Sequence, residues 1–87
     1  MSAEPLESPD QSLDLRGLKC PLPVLKTKKR LSNMPSGSRL IVETTDPLAA
    51  IDIPHFCHEN RYTLIASQKT AIGHRFVIAK PGDVLEA

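Results

Sequence analysis

Leu13-Asp14-Leu15-Arg16-Gly17-Leu18-Lys19-Cys20-Pro21-Leu22-Pro23 reads as a strand, a loop and an abrupt helix start in immediate succession. Across Ser12–Arg16, Leu13 and Leu15 fall on one face and Asp14 and Arg16 on the other, the period of a half-buried strand. Gly17 marks a tight turn. Proline lacks an amide hydrogen and has a fixed φ, so the first helical turn is one of the few helical places that tolerates it. Either Pro21 opens the helix, or it begins at Pro23, because a residue before proline such as Leu22 disfavours the helical region. Both readings leave Cys20 within about one turn of a helix N-terminus.

Working outward, Pro21–Asn33 predicts an amphipathic helix. Pro21, Val24, Lys28 and Leu31 share its core face with Leu25 beside them, and Lys26, Lys29 and Arg30 lie opposite. The stem of Lys28 can lie along the edge of that face. Pro35-Ser36-Gly37 is a turn, and Leu40–Thr45 is a β-branched strand. Asp46-Pro47 is a helix start, an Asp cap followed by Pro. Leu48, Ile51 and Phe56 are expected to face the core. Pro54 should kink or restart this helix with Asp52 as a second cap, and Asn60-Arg61 ends it. Tyr62–Gln68 and Arg75–Lys80 form an antiparallel hairpin through Lys69–His74. The order β-α-β-α-β-β predicts an α+β fold, a two-layer sandwich with two helices on one face of a four-stranded mixed sheet.

At 87 residues and 40% hydrophobic the chain is one small domain. Residues 1–11 are expected to form a flexible N-terminal tail, 12–80 the folded domain and 81–87 a short C-terminal tail. No long apolar run predicts a membrane span, and no basic-apolar leader is visible, so the expected location is cytoplasmic. Two cysteines do not make a secreted disulfide scaffold. A net charge of +1 with no Trp, one Tyr and two Phe argues against a general nucleic-acid binder.

Cys20 is the candidate for chemistry. A thiolate is the nucleophile, and an ordinary thiol is only about 3% ionised at pH 7. A helix terminus contributes about 0.3–1 kcal/mol towards the anion. Arg16 and Lys19 would add positive potential, and together these effects predict a partly ionised thiol. Pro23 acts in the other direction by removing an amide that could bond the sulfur. The plainer alternative is an inert, buried packing cysteine.

These residues resemble the motif of the TusA/SirA family of sulfur-carrier proteins, Asp-x-x-Gly-x-x-Cys-Pro-x-Pro, at Asp14, Gly17, Cys20, Pro21 and Pro23. Asp46-Pro47 and Asp52-Ile53-Pro54-His55-Phe56-Cys57 resemble further segments of the TusA branch, and the likeness spans Leu13 to Lys80. It implies the same two-layer sandwich and a persulfide carried on Cys20, with no other cofactor. The implied donor is a cysteine desulfurase, and the implied recipient is a cysteine of a sulfur-relay acceptor protein. In the TusA branch the relay ends in 2-thiolation of the wobble uridine of certain tRNAs, so tRNA is an indirect partner. Relatives serve molybdenum cofactor, selenium or sulfur-oxidation pathways.

The remaining candidates divide between a role and a plainer reading. His55, Cys57 and His58 suggest a metal cluster, but Cys57 turns away from both histidines and no second ligand pair follows, so no metal site is expected. Cys57 is either a resolving cysteine for Cys20 or a buried packing residue, and burial is the favoured expectation. Lys26, Lys29 and Arg30 are a solvated face or a docking stripe for an acidic partner. Asp14 is an acid near the thiol or a structural hydrogen-bond acceptor in the loop. The expected carrier is a monomer that presents one small surface to successive partners. Two other readings stay open: a small RNA-binding module, and a thiol redox or sensor protein using Cys20 and Cys57.

Overall fold

The alternation of Leu13 and Leu15 produces strand β1 (Asp10–Leu15) in the computed structural model, which describes residues 10–81. The strand starts at Asp10 rather than Ser12. Asp10 aligns with Arg39 on the neighbouring strand and pairs with its guanidinium at 3.0 Å, and Gln11 accepts a hydrogen bond from Arg30. Asp10 and Gln11, expected in the tail, therefore belong to the sheet. The tail calls over 1–9 and 82–87 lie outside the described residues.

Helix α1 (Leu22–Ser32), strand β2 (Arg39–Thr44), helix α2 (Ala49–Glu59), strand β3 (Thr63–Lys69) and strand β4 (His74–Ala79) follow in the expected order. The sheet runs β1-β2-β4-β3, with β1 parallel to β2 and the other pairs antiparallel. Two helices on a four-stranded mixed sheet give the predicted α+β sandwich. Leu13, Val42 and Phe76 align across three strands, and Leu15, Leu40 and Ile78 join them beneath the helices. Leu31 and Met34, then Ala49, Ile53, Phe56 and Cys57, close the core from above. Each large apolar side chain so buried contributes about 1.5–3 kcal/mol of hydrophobic stabilisation.

Helix α1 presents a different face from the expected one. Pro23, Thr27 and Leu31 are buried, Val24 is half-buried, and Leu25 and Lys28 are exposed. The helix begins at Leu22 with Pro21 as its cap, between the two starts considered from sequence. Spacing of four residues carries Pro23, Thr27 and Leu31 down one side onto the sheet. At its other end, Lys80 Nζ donates to the carbonyls of Leu31 and Met34 at 2.9 and 2.8 Å. A cation there suits the negative end of the helix.

Helix α2 runs unbroken through Pro54, so the expected restart is absent and Asp52 caps nothing. Packing of Ala49, Ile53, Phe56 and Cys57 into the core holds the helix together despite the missing amide. Leu48 and Ile51, expected inside, are exposed. The β3–β4 turn brings Gly73 against the backbone of Thr44 and Thr45, where a Cβ would collide with the Thr44 carbonyl oxygen.

Candidate active site: a thiol between two carboxylates

The β1–α1 loop is held to the start of α2 by side chains from the β2–α2 connection. Gly17, at φ +85°, donates its amide to Thr45 Oγ1 at 2.8 Å. That φ is the left-handed region that glycine enters freely, so the expected tight turn is present. The amide of Cys20 donates to Asp46 Oδ2 at 2.6 Å. The other oxygen of Asp46 accepts the amide of Leu48 at 3.1 Å, and its carbonyl accepts the amide of Ala49 at 2.9 Å. One residue therefore opens α2 and fixes the backbone of Cys20.

The Cys20 side chain is exposed at the mouth of a crevice lined by Pro21, Pro23, Val24, Asp46, Ala49 and Asp52. The crevice is narrow, and an open groove of about 330 Å³ adjoins it along Pro21, Val24, Asp52, His55 and Phe56. The crevice walls come from the loop, from α1 and from the first turn of α2. Cys20 Sγ donates to Asp52 Oδ2 at 3.3 Å. This bond, partial desolvation and the charges of Asp52 and Asp46 all push the thiol pKa above its ordinary value.

The expectation of a partly ionised thiol is thus overturned. Arg16 does not act on Cys20: its guanidinium forms two bonds to Asp14 at 2.8 and 2.9 Å, and its amide forms a third at 3.1 Å. This pairing lowers the Asp14 pKa to about 2 and raises that of Arg16. Asp14 is therefore a loop-fixing acceptor for Arg16. Lys19 is exposed, and its carbonyl accepts the amide of Leu22 at 2.8 Å, so that amide is not offered to the sulfur. Pro21 and Pro23 have no amide to offer. The favourable helix terminus is thereby reduced, and nearby carboxylates outweigh it.

The basic stripe sits elsewhere. Lys26, Lys29 and Arg30 line a shallow groove of about 260 Å³ with Leu13 and Asn33, sharing no residue with the crevice. Arg30 is tied to Gln11 and to the Ser12 carbonyl at 3.3 and 3.5 Å. His55 and His58 are exposed whereas Cys57 is buried, and burial pushes the Cys57 thiol up to about 11. Apolar side chains that sequence reasoning placed in or near the core, Leu25, Leu48 and Ile51, instead meet solvent, as does Leu22. Leu22 adjoins Pro21 and Pro23, and Leu48 and Ile51 adjoin Ala49 and Asp52, so three of these four flank the crevice residues in the chain.

Asp46 and Asp52 were read from sequence as caps, and their contact with Cys20 was missed. The one signal was their place in the second pair of family-like segments. The family profile described as Sulfurtransferase TusA matches residues 11–80. The chain belongs to the TusA family. The matched span includes both the Cys20 loop and the α2 carboxylates. A TusA-family protein is a sulfurtransferase that works within a sulfur relay. Among the described residues of this TusA-family chain, no helix is long and apolar enough to cross a membrane.

Proposed function

We propose that this protein accepts a persulfide sulfur on Cys20 from a cysteine desulfurase and passes it to a cysteine of a relay acceptor protein. The observation that carries the reading is an exposed thiol, inside the TusA-matched span, at the mouth of a narrow surface crevice. The partner must then supply the other half of the reacting site. In loading, Cys20 loses its proton to solvent, Sγ attacks the outer sulfur of the donor persulfide, a new S–S bond forms as the donor's S–S bond breaks, and the donor cysteine leaves as a thiolate. In delivery, an acceptor thiolate attacks that outer sulfur and Cys20 Sγ leaves. No net oxidant or reductant is consumed.

The proposed endpoint is 2-thiolation of the tRNA wobble uridine, with tRNA met only through later relay members. The proposed setting is the cytoplasm, and the proposed working form is a monomer. Exposed Leu22, Leu48 and Ile51, next in the chain to crevice residues, offer apolar contact, and Lys26 and Lys29 offer charge for an acidic partner farther along α1. The burial of Cys57 supports this reading over a redox pair with Cys20.

The test is an intact mass after incubation of the reduced protein with a cysteine desulfurase and cysteine. A gain of one sulfur atom, reversed by dithiothreitol, lost in Cys20→Ser and kept in Cys57→Ser, is expected. No gain with any of several desulfurases would overturn the reading.

A further inference from the structure

We propose that Asp52 is a specificity-determining residue that holds sulfur on Cys20 against ordinary cellular thiols and favours transfer to a partner bearing a cation beside its reacting cysteine. The inference rests on the carrier reading above and concerns the same thiol. Asp52 Oδ2 lies 3.3 Å from Sγ, and Asp46 Oδ2 lies on the Cys20 amide. Among the described residues neither carboxylate belongs to an ion pair. From α1 and its cap, the crevice receives Pro21, Pro23 and Val24 and no titratable group; Lys19 precedes the thiol in the loop, and from α2 His55 and Glu59 line an adjoining groove with Asp52. The reacting sulfur therefore faces negative charge that nothing within the crevice balances.

Two consequences follow from the chemistry of exchange. When an acceptor thiolate attacks the outer sulfur, the Sγ–S bond breaks and its electron pair goes to Sγ. The new Cys20 thiolate then takes a proton from solvent, restoring the S–H···Asp52 bond. A carboxylate at 3.3 Å disfavours the charge that develops on Sγ, and a poorer leaving group departs more slowly. The same charge repels an incoming anionic thiolate and attracts one that carries an ammonium or guanidinium. A partner cation at Asp52 removes both obstacles at the moment of docking.

The test compares the intact protein with Asp52→Asn, which keeps the shape of the side chain. Asp10→Asn serves as a charge control, because Asp10 pairs with Arg39 at the start of β1. All three are made in a Cys57→Ala background and loaded with inorganic polysulfide. Loss of the labile sulfur is followed with 3-mercaptopropionate and with cysteamine at low ionic strength. The parent is expected to keep its sulfur severalfold longer than Asp52→Asn against the anionic thiol, with the gap narrowing for the cationic one. Asp10→Asn should match the parent.

A second readout needs no persulfide. The pH midpoint of iodoacetamide alkylation of unloaded Cys20 should fall in Asp52→Asn. Alkylation at pH 7 should rise by roughly threefold or more, since gained thiolate outweighs its lower nucleophilicity. Equal sulfur half-lives in parent and Asp52→Asn, or an unchanged alkylation profile, would overturn the proposal. Failure of a desulfurase to load Cys20 would instead strike the carrier reading and leave the alkylation comparison intact, so the two failures are distinct.

Discussion

The carboxylate of Asp46 holds the backbone amide of Cys20 at 2.6 Å, and its second oxygen holds the amide of Leu48. A single side chain thereby joins the loop that presents the thiol to the helix that flanks it. Asp46→Ala should lower stability by about 1–2 kcal/mol, the scale of a charge-assisted bond in a partly exposed site. It should also speed hydrogen exchange at the Cys20 amide, and Asp46→Asn, which keeps one acceptor oxygen and turns an NH2 towards the other amide, should retain only part of the protection. Urea unfolding and amide exchange measured on both variants would check this.

Gly73 has no room for a side chain. A Cβ there meets the Thr44 carbonyl oxygen and lies 2.7 Å from Thr45 Cα, and backbone cannot step aside as a flexible side chain would. Gly73→Ala is expected to destabilise the fold by about 1–3 kcal/mol. Since Thr45 also binds the Gly17 amide, chemical shifts in the Cys20 loop should move with it. A thermal melt and an NMR comparison test the two parts.

Lys80 ties the Leu31 carbonyl in the last turn of α1 to the Met34 carbonyl just beyond it. Lys80→Met keeps the apolar stem and removes the ammonium, leaving those carbonyls short of a donor. A loss of about 1–2 kcal/mol in denaturant unfolding is expected, with sulfur loading of the folded fraction unchanged.

Cys57 is buried on α2, five positions beyond Asp52, which is about 7.5 Å along the helix axis. Cys57→Ala should leave sulfur loading at Cys20 intact while costing about 1 kcal/mol. The folded chain holds the Cys57 thiol protonated up to about 11, above the ordinary 9.0. Stability from this group is therefore fully present below the ordinary value and is lost as pH rises through about 11. Unfolding midpoints taken from pH 8 to pH 11 should fall more steeply in the parent than in Cys57→Ala.

Local signals made much of the architecture legible. Alternation at Leu13 and Leu15, the Pro-Leu-Pro start of α1 and the Asp46-Pro47 turn placed the elements in their correct order. Rotation of α1 was not legible, because it depends on which side the loop delivers to the sheet. Thr27 reads as polar yet is buried, and Leu25 reads as apolar yet is exposed. Pro54 reads as a break, but packing of Ile53, Phe56 and Cys57 on either side overrides it. The position of Cys20 outside a helix start was readable from its neighbours. Its electrostatics were not. Arg16 is near in the chain but spent on Asp14, while Asp52 is 32 positions away and touches the sulfur.

That separation makes the character of Cys20 a property of the whole fold. A chain in which α2 has not docked carries two ordinary cysteines, one of which belongs in the core. A docked chain carries one restrained thiol at the surface and one sequestered thiol within. A population of newly made or heat-stressed molecules would therefore announce its unfinished members by their sulfur chemistry. Thiol reagents that reach Cys20 alone in the mature protein would mark Cys57 as well in the immature one.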